Sequence, residues 1–165
     1  MLRSSILGKE FVNYRKNTDK DQRARFSGNV RSRGLGNVPI VVDSVERELS
    51  NLLATKDENI PRTMKYGLEI TIHMDNKMSE ILKIVKIELL QKDYEVNNLV
   101  LGLEDGSLID LESDVGAIYK QHRNKDDKIL YVLVTNEKTM YGYILSIIKY
   151  LASGFSTFIT KLTKD

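Results

Sequence analysis

Hydrophobic and polar positions fall into distinct periods along the chain. In 68–75, Leu68, Ile70, Ile72 and Met74 alternate with Glu69, Thr71, His73 and Asp75, the period of two that marks a strand with one buried face. His73 is expected on the outward face. After Asp75 or Asn76 as a cap, Met78, Ile81, Leu82, Val85 and Leu89 recur on one helical stripe, with Lys83, Lys86 and Gln91 elsewhere, which predicts a helix over 77–92. The apolar runs 99–103 and 108–111 flank Asp105-Gly106, the signature of a hairpin turn. The run Ile129-Leu-Tyr-Val-Leu-Val134 is apolar throughout, as expected of a central strand covered on both faces. Upstream, Val38–Val42 reads as a short strand whose Pro39 suits an edge or a strand start. Asp43-Ser44 then offers a cap for a helix over 44–54 carrying Val45, Leu49, Leu52 and Leu53, and residues 56–61 read as a loop.

The two ends of the chain behave differently. Residues 13–36 are polar, lack apolar periodicity and close on a Gly-rich stretch, so residues 1–37 are expected to be a disordered arm. Within it, Arg23-Ala-Arg-Phe-Ser27 places a hydroxyl after spaced arginines, a pattern that basophilic kinases favour, and phosphate there would weaken the arm's positive charge. Residues 137–165 carry Tyr141, Ile144, Leu145, Ile148, Leu151, Phe155, Phe158 and Ile159 at helical spacing, opposite Ser146, Lys149, Ser153, Ser156, Thr157 and Lys161, which predicts an amphipathic helix over about 140–162. Lys149 near its middle argues against a membrane span. Three uses for its apolar face stay open: docking on its own domain, pairing with a partner or a second copy, and lying on a membrane.

Composition narrows the chemistry. The 165 residues contain no cysteine, which removes disulfides, thiolate metal sites and thiol catalysis. A reducing, cytoplasmic compartment fits, and the short apolar stretch at the amino terminus is not a secretory signal. Only His73 and His122 supply imidazoles, on different elements, and neither a nucleophile elbow nor a phosphate loop accompanies them. No catalytic residues, metal site or cofactor is therefore expected, and the protein is not read as an enzyme. The net charge of +2 is unevenly placed: nine basic residues (Arg3, Lys9, Arg15, Lys16, Lys20, Arg23, Arg25, Arg31, Arg33) against Glu10, Asp19 and Asp21 put +6 on residues 1–37, which leaves −4 on the rest. Such an arm can meet phosphates, lipid headgroups or an acidic neighbour.

Strand, crossing helix, small hairpin and apolar central strand follow the order of the ubiquitin-like β-grasp fold, an α+β fold in which a mixed sheet packs on one helix. Its first strand is read at 38–42, with 44–62 inserted before the second; the other candidate is 62–66. The interaction domain then spans 38–136. The string Leu101-Gly-Leu-Glu-Asp-Gly-Ser-Leu-Ile-Asp-Leu-Glu-Ser-Asp-Val115 resembles the acidic motif of Phox-and-Bem domains, in which an acidic pair, a Gly turn, an apolar strand and a further acidic residue precede a short helix. It is also similar to the amino-terminal oligomerisation domain of partitioning-defective polarity scaffolds, through Asp105-Gly106, Leu108-Ile-Asp-Leu111, Asp114-Val115 and Lys125-Asp-Asp-Lys128. That resemblance implies an acidic interaction surface of Glu104, Asp105, Asp110, Glu112 and Asp114. Its basic counterpart departs from the family: residues 38–42 hold no lysine, and Arg62, Lys65, Lys83 and Lys86 are the candidates.

Opposite charges on two faces of one chain can pair head to tail, with orientation and partner choice set by complementarity and weakened by salt. The expected function is thus a protein-protein interaction and self-assembly module, a scaffold or adaptor whose partner is another protein or a second copy. A small-GTPase-binding β-grasp domain is an alternative, although Glu69, His73 and Asp75 are poorly charged for it. Another is a peripheral membrane or nucleic-acid-binding protein using the arm and terminal helix; with only Tyr14 and Phe26 amid the charge, base stacking has little support and nucleic acid is the weaker partner.

Overall fold

The computed structural model describes residues 14, 15, 18–56, 64–94, 98–136 and 151. Ten elements follow one another among them: α1 (Lys20–Ser32), β1 (Asn37–Asp43), α2 (Arg47–Leu53), β2 (Thr55–Lys56), β3 (Met64–Lys65), β4 (Leu68–His73), α3 (Met78–Gln91), β5 (Leu99–Gly102), α4 (Val115–His122) and β6 (Leu130–Asn136). Four strands form a mixed sheet in the order β4-β1-β6-β5, with β1 parallel to β6 and antiparallel to β4. This is the ubiquitin-like β-grasp arrangement, with the first strand at 38–42 as the sequence favours. The other candidate region instead pairs Met64–Lys65 with Thr55–Lys56 in a separate two-stranded ladder.

Strand alternation divides the core in two. Val38, Ile40 and Val42 of β1, Ile70 and Ile72 of β4, and Leu130, Val132 and Val134 of β6 face α3, which answers with Met78, Ile81, Leu82, Val85 and Leu89. Those five are the stripe read from the sequence. Each such residue withdrawn from water contributes about 1.5–3 kcal/mol, so this face dominates the stability of the fold. On the other face Val41, Ile129, Tyr131 and Leu133 close over Tyr14, with Phe26, Val45 and Val100 at the margin.

Pro39 lies in a central strand, not at an edge. The Met74 amide donates to Gly36 O, and with the β1–β4 register this turns the backbone groups of 38, 40 and 42 toward β4. Pro39 therefore has its donor-free nitrogen on the β6 side, where pairing begins only at Ile40. No ladder bond is lost.

The expectation of a disordered arm over 1–37 is corrected over 20–32, which form α1. Asp19 caps it: the Gln22 amide donates to Asp19 Oδ1 at 2.7 Å, and the Asp19 amide donates to the Gln22 side chain at 2.8 Å, a reciprocal capping box. Only Ser27 and Val30 of α1 are buried, so its apolar face is too narrow to register as periodicity. The burial of Ser27 also corrects its reading as a modification site, because its hydroxyl lies inside the interface of α1 with the sheet.

Two smaller corrections concern turns. The second half of the hairpin is a single bridge, Gly102 to Leu108, because Asp110 accepts the Glu112 amide at 3.0 Å and turns the chain out of the ladder. The helix read at 44–54 begins at Arg47: the Ser44 amide donates to Asp43 and the Glu46 amide to Ser44 Oγ, so both capping side chains are engaged before the helix starts. Of the terminal helix read over 140–162, only Leu151 is described; it is helical and 52% exposed. Tyr141, Ile144, Leu145, Ile148, Phe155, Phe158 and Ile159 lie outside the described residues, as does Arg62. Among the described residues no helix is long and apolar enough to cross a membrane.

Candidate interaction surfaces

The five acidic residues cluster along the loop from β5 to α4; two of them bond within the loop and two pair with distant residues. Asp105 accepts from the Ser107 amide at 2.9 Å and the Ser107 hydroxyl at 2.5 Å, which holds the Gly106 turn. Asp110 takes the Glu112 amide, and Asp114 pairs with Lys77 at 2.7 Å as α4 begins. Glu104 faces inward, 2.9 Å from Arg15, whose guanidinium lies 4.5 Å from the Tyr131 ring centroid. Glu112 is exposed and has no ion pair among the described residues.

Adjacent carboxyls in this loop are pushed in opposite directions. Burial raises Glu104 above the usual carboxylate range, outweighing the pull of Arg15. Burial also acts upward on Asp105, but the two Ser107 donors, with His122 nearby, hold it below the ordinary value. His122 lines a polar cavity of about 160 Å³ with Leu103, Glu104, Asp105, Asn124 and Tyr131. His73 sits elsewhere, its Nδ1 accepting the Asp75 amide at 3.1 Å. No three groups of the metal-ligating kind lie together among the described residues.

The basic candidates do not converge. Lys83 and Lys86 are on the exposed side of α3, Lys83 bonded to Glu80 at 2.8 Å. Lys65 is on β3, 2.5 Å from Glu69 of β4. The acidic loop leaves one edge strand of the sheet, β5, and Lys65 sits beside the other, β4.

That β4 edge holds a feature the sequence reading did not assemble. Since Ile70 and Ile72 turn their backbone groups to β1, those of Glu69 and Thr71 point outward, and among the described residues no strand pairs with them. Beside this edge runs a groove of about 500 Å³ between α1 and β4. Phe26 and Val30 give it an apolar floor; Arg25, Arg33, Lys65 and Glu69 make its charged rim, with Asn29 and Thr71 among its polar lining. The groove is legible only once α1 is known to exist, and the sequence signal was the Asp19–Gln22 capping pair.

A second set of contacts fixes α1 and its approach to the sheet. Tyr14 donates to Glu69 at 3.2 Å and meets Tyr131 edge-on, with centroids 6.1 Å apart. Arg23 donates to Thr18 O and Arg15 O and lies 3.6 Å from Asp127. Asp127 in turn accepts from the Tyr131 hydroxyl at 2.5 Å. Burial and the neighbouring carboxylates push both phenols upward, so they stay neutral donors. One wall of the groove is thereby held by hydrogen bonds rather than by a broad apolar contact.

No protein-family model matches the chain, and no curated protein is similar to it. Among solved structures it is similar to Trypanosoma brucei ATG8, with a TM-score of 0.55 and 15% identity over 75% of this chain and 93% of that one. At that identity the likeness is one of fold: a ubiquitin-like domain.

Proposed function

We propose that this chain is a non-catalytic protein-binding module that takes an extended peptide along the outer edge of β4. The observation that carries the proposal is the outward-facing backbone of Glu69 and Thr71 beside a preformed groove. An exposed edge offers main-chain hydrogen bonds to an incoming strand, and adjoining pockets choose its side chains. Phe26 and Val30 suit an apolar side chain of the peptide, while Arg25 and Arg33 suit carboxylates flanking it.

Thr71→Pro tests the proposal because it deletes an outward N–H without touching the β1–β4 ladder. Peptides selected from a random library on the full chain should bind the variant at least about tenfold more weakly, while its melting temperature changes little. Equal affinity for both proteins would remove the edge from the account.

A second reading is head-to-tail self-assembly through charge. It is favoured by the placement of the acidic loop and Lys65 at opposite edges of the sheet. Mass measured by light scattering should then grow with concentration, and both high salt and Asp110→Lys/Glu112→Lys should abolish the growth. A monomer at every concentration leaves the peptide-binding reading alone.

A further inference from the structure

The end of the molecule where β1 and β6 begin carries an apolar point within basic surroundings. Between α1 and β1 the chain projects as Arg33-Gly34-Leu35-Gly36, and Leu35 is 99% exposed. The projection is held at its base: the Asn37 amide donates to Gly34 O at 3.4 Å, the Met74 amide to Gly36 O at 2.8 Å, and the His73 ring lies against Gly36, whose φ is +87°. A side chain at 36 would collide with that ring, so the loop is shaped to hold Leu35 outward. Because β1 and β6 are parallel, the loop Asn124–Lys128 before β6 lies at the same end. There Arg123 stands 5.4 Å from the Tyr119 ring, and the Tyr119 hydroxyl donates to Lys128 O at 2.6 Å. Arg31, in the last turn of α1, lies within electrostatic reach of that phenol. Arg31, Arg33, Arg123 and Lys125 are all exposed here, against the exposed carboxylates Asp75 and Asp126.

We infer that this end docks on an anionic lipid surface, with Leu35 entering the headgroup layer and Arg31, Arg33 and Arg123 facing lipid phosphates. An exposed apolar side chain set among exposed arginines matches the combination of one inserted apolar group and a basic rim that gives reversible membrane binding. Binding of this kind is weak, requires anionic lipid and falls with salt.

The full chain can be tested by sedimentation with vesicles of phosphatidylcholine alone and of phosphatidylcholine with about 30% phosphatidylserine. Binding is expected only to the anionic vesicles, and Leu35→Asn and Arg31→Gln/Arg33→Gln should each lower the partition coefficient about tenfold or more. Because the sequence has no cysteine, Leu35→Cys accepts a single environment-sensitive dye. Its emission should shift to the blue on anionic vesicles, and the same dye at Ser107→Cys should not respond. Absence of binding at low salt, or binding that neither variant weakens and that leaves the dye at 35 in water, would overturn the inference. The latter result would place membrane contact on another segment of the chain.

Discussion

Glu104 and Asp105 are consecutive in sequence, yet their environments make them respond oppositely to acid. Glu104 is raised in the folded state, so the native protein holds a proton that the unfolded chain has released, and stability falls as pH rises through its folded pKa. Asp105 is lowered, so its contribution is present above its unfolded value and is lost as pH falls through the folded one. Glu104→Gln should therefore flatten the decline in melting temperature on the neutral side of the carboxylate range, whereas Asp105→Asn should flatten the loss on the acid side. Thermal unfolding followed from pH 3 to 7, about the range over which carboxyls titrate, separates the two. The sequence identifies both residues as acidic but not these opposite roles, because Glu104 is set by a burial that only the fold creates, against the pull of Arg15, 89 positions away. Glycines show the same dependence on context. A Cβ at Gly116 would stand 2.9 Å from Met74 Cβ and 3.2 Å from Met74 O, and Gly116→Ala should cost about 1–3 kcal/mol. Gly28, inside α1 with nothing within 4 Å of its Cβ direction, should gain about 0.5–1 kcal/mol as Ala. Chemical denaturation of the two variants checks both signs.

Among the elements, α3 and α1 mark the two extremes of legibility. The apolar stripe of α3 is wide, and the same five residues read from its periodicity are buried in the structure. Ile81→Ala there should cost about 2–5 kcal/mol, whereas Ile87→Ala, at a position 55% exposed, should stay within about 0.5 kcal/mol. In α1 the mean character is polar and the helix is held by its ends and by individual bonds, so hydrophobic patterning could not reveal it. Removing the cap by Asp19→Ala should cost about 0.5–2 kcal/mol. The loss should show as faster amide exchange in α1 and at the groove, with α3 unaffected, since the interior of the β-grasp does not depend on that cap. Strand β1 illustrates an intermediate case: its place in the sequence is clear, but Pro39 suggests an edge until the pairing register shows that β6 begins one residue later.

At the scale of the whole molecule, the β-grasp order could be read from strand and helix periods because that order is local, while the surfaces could not. The acidic loop was visible as a run of residues, but its carboxylates support turns and ion pairs with distant partners as much as they face solvent. The groove joins α1 and β4, which are separated in the chain by β1, α2 and the small ladder, and no motif announces it. Among the described residues the outer backbone of β4 has no partner strand, and an open edge is costly to keep without a use, since it invites unspecific pairing. The most direct test is amide hydrogen exchange on the full chain with and without a peptide selected to bind it. Strand addition predicts that the Glu69 and Thr71 amides, which no strand covers among the described residues, become protected by at least about tenfold in the complex; a bound peptide that leaves both amides exchanging at their free rates would contradict it.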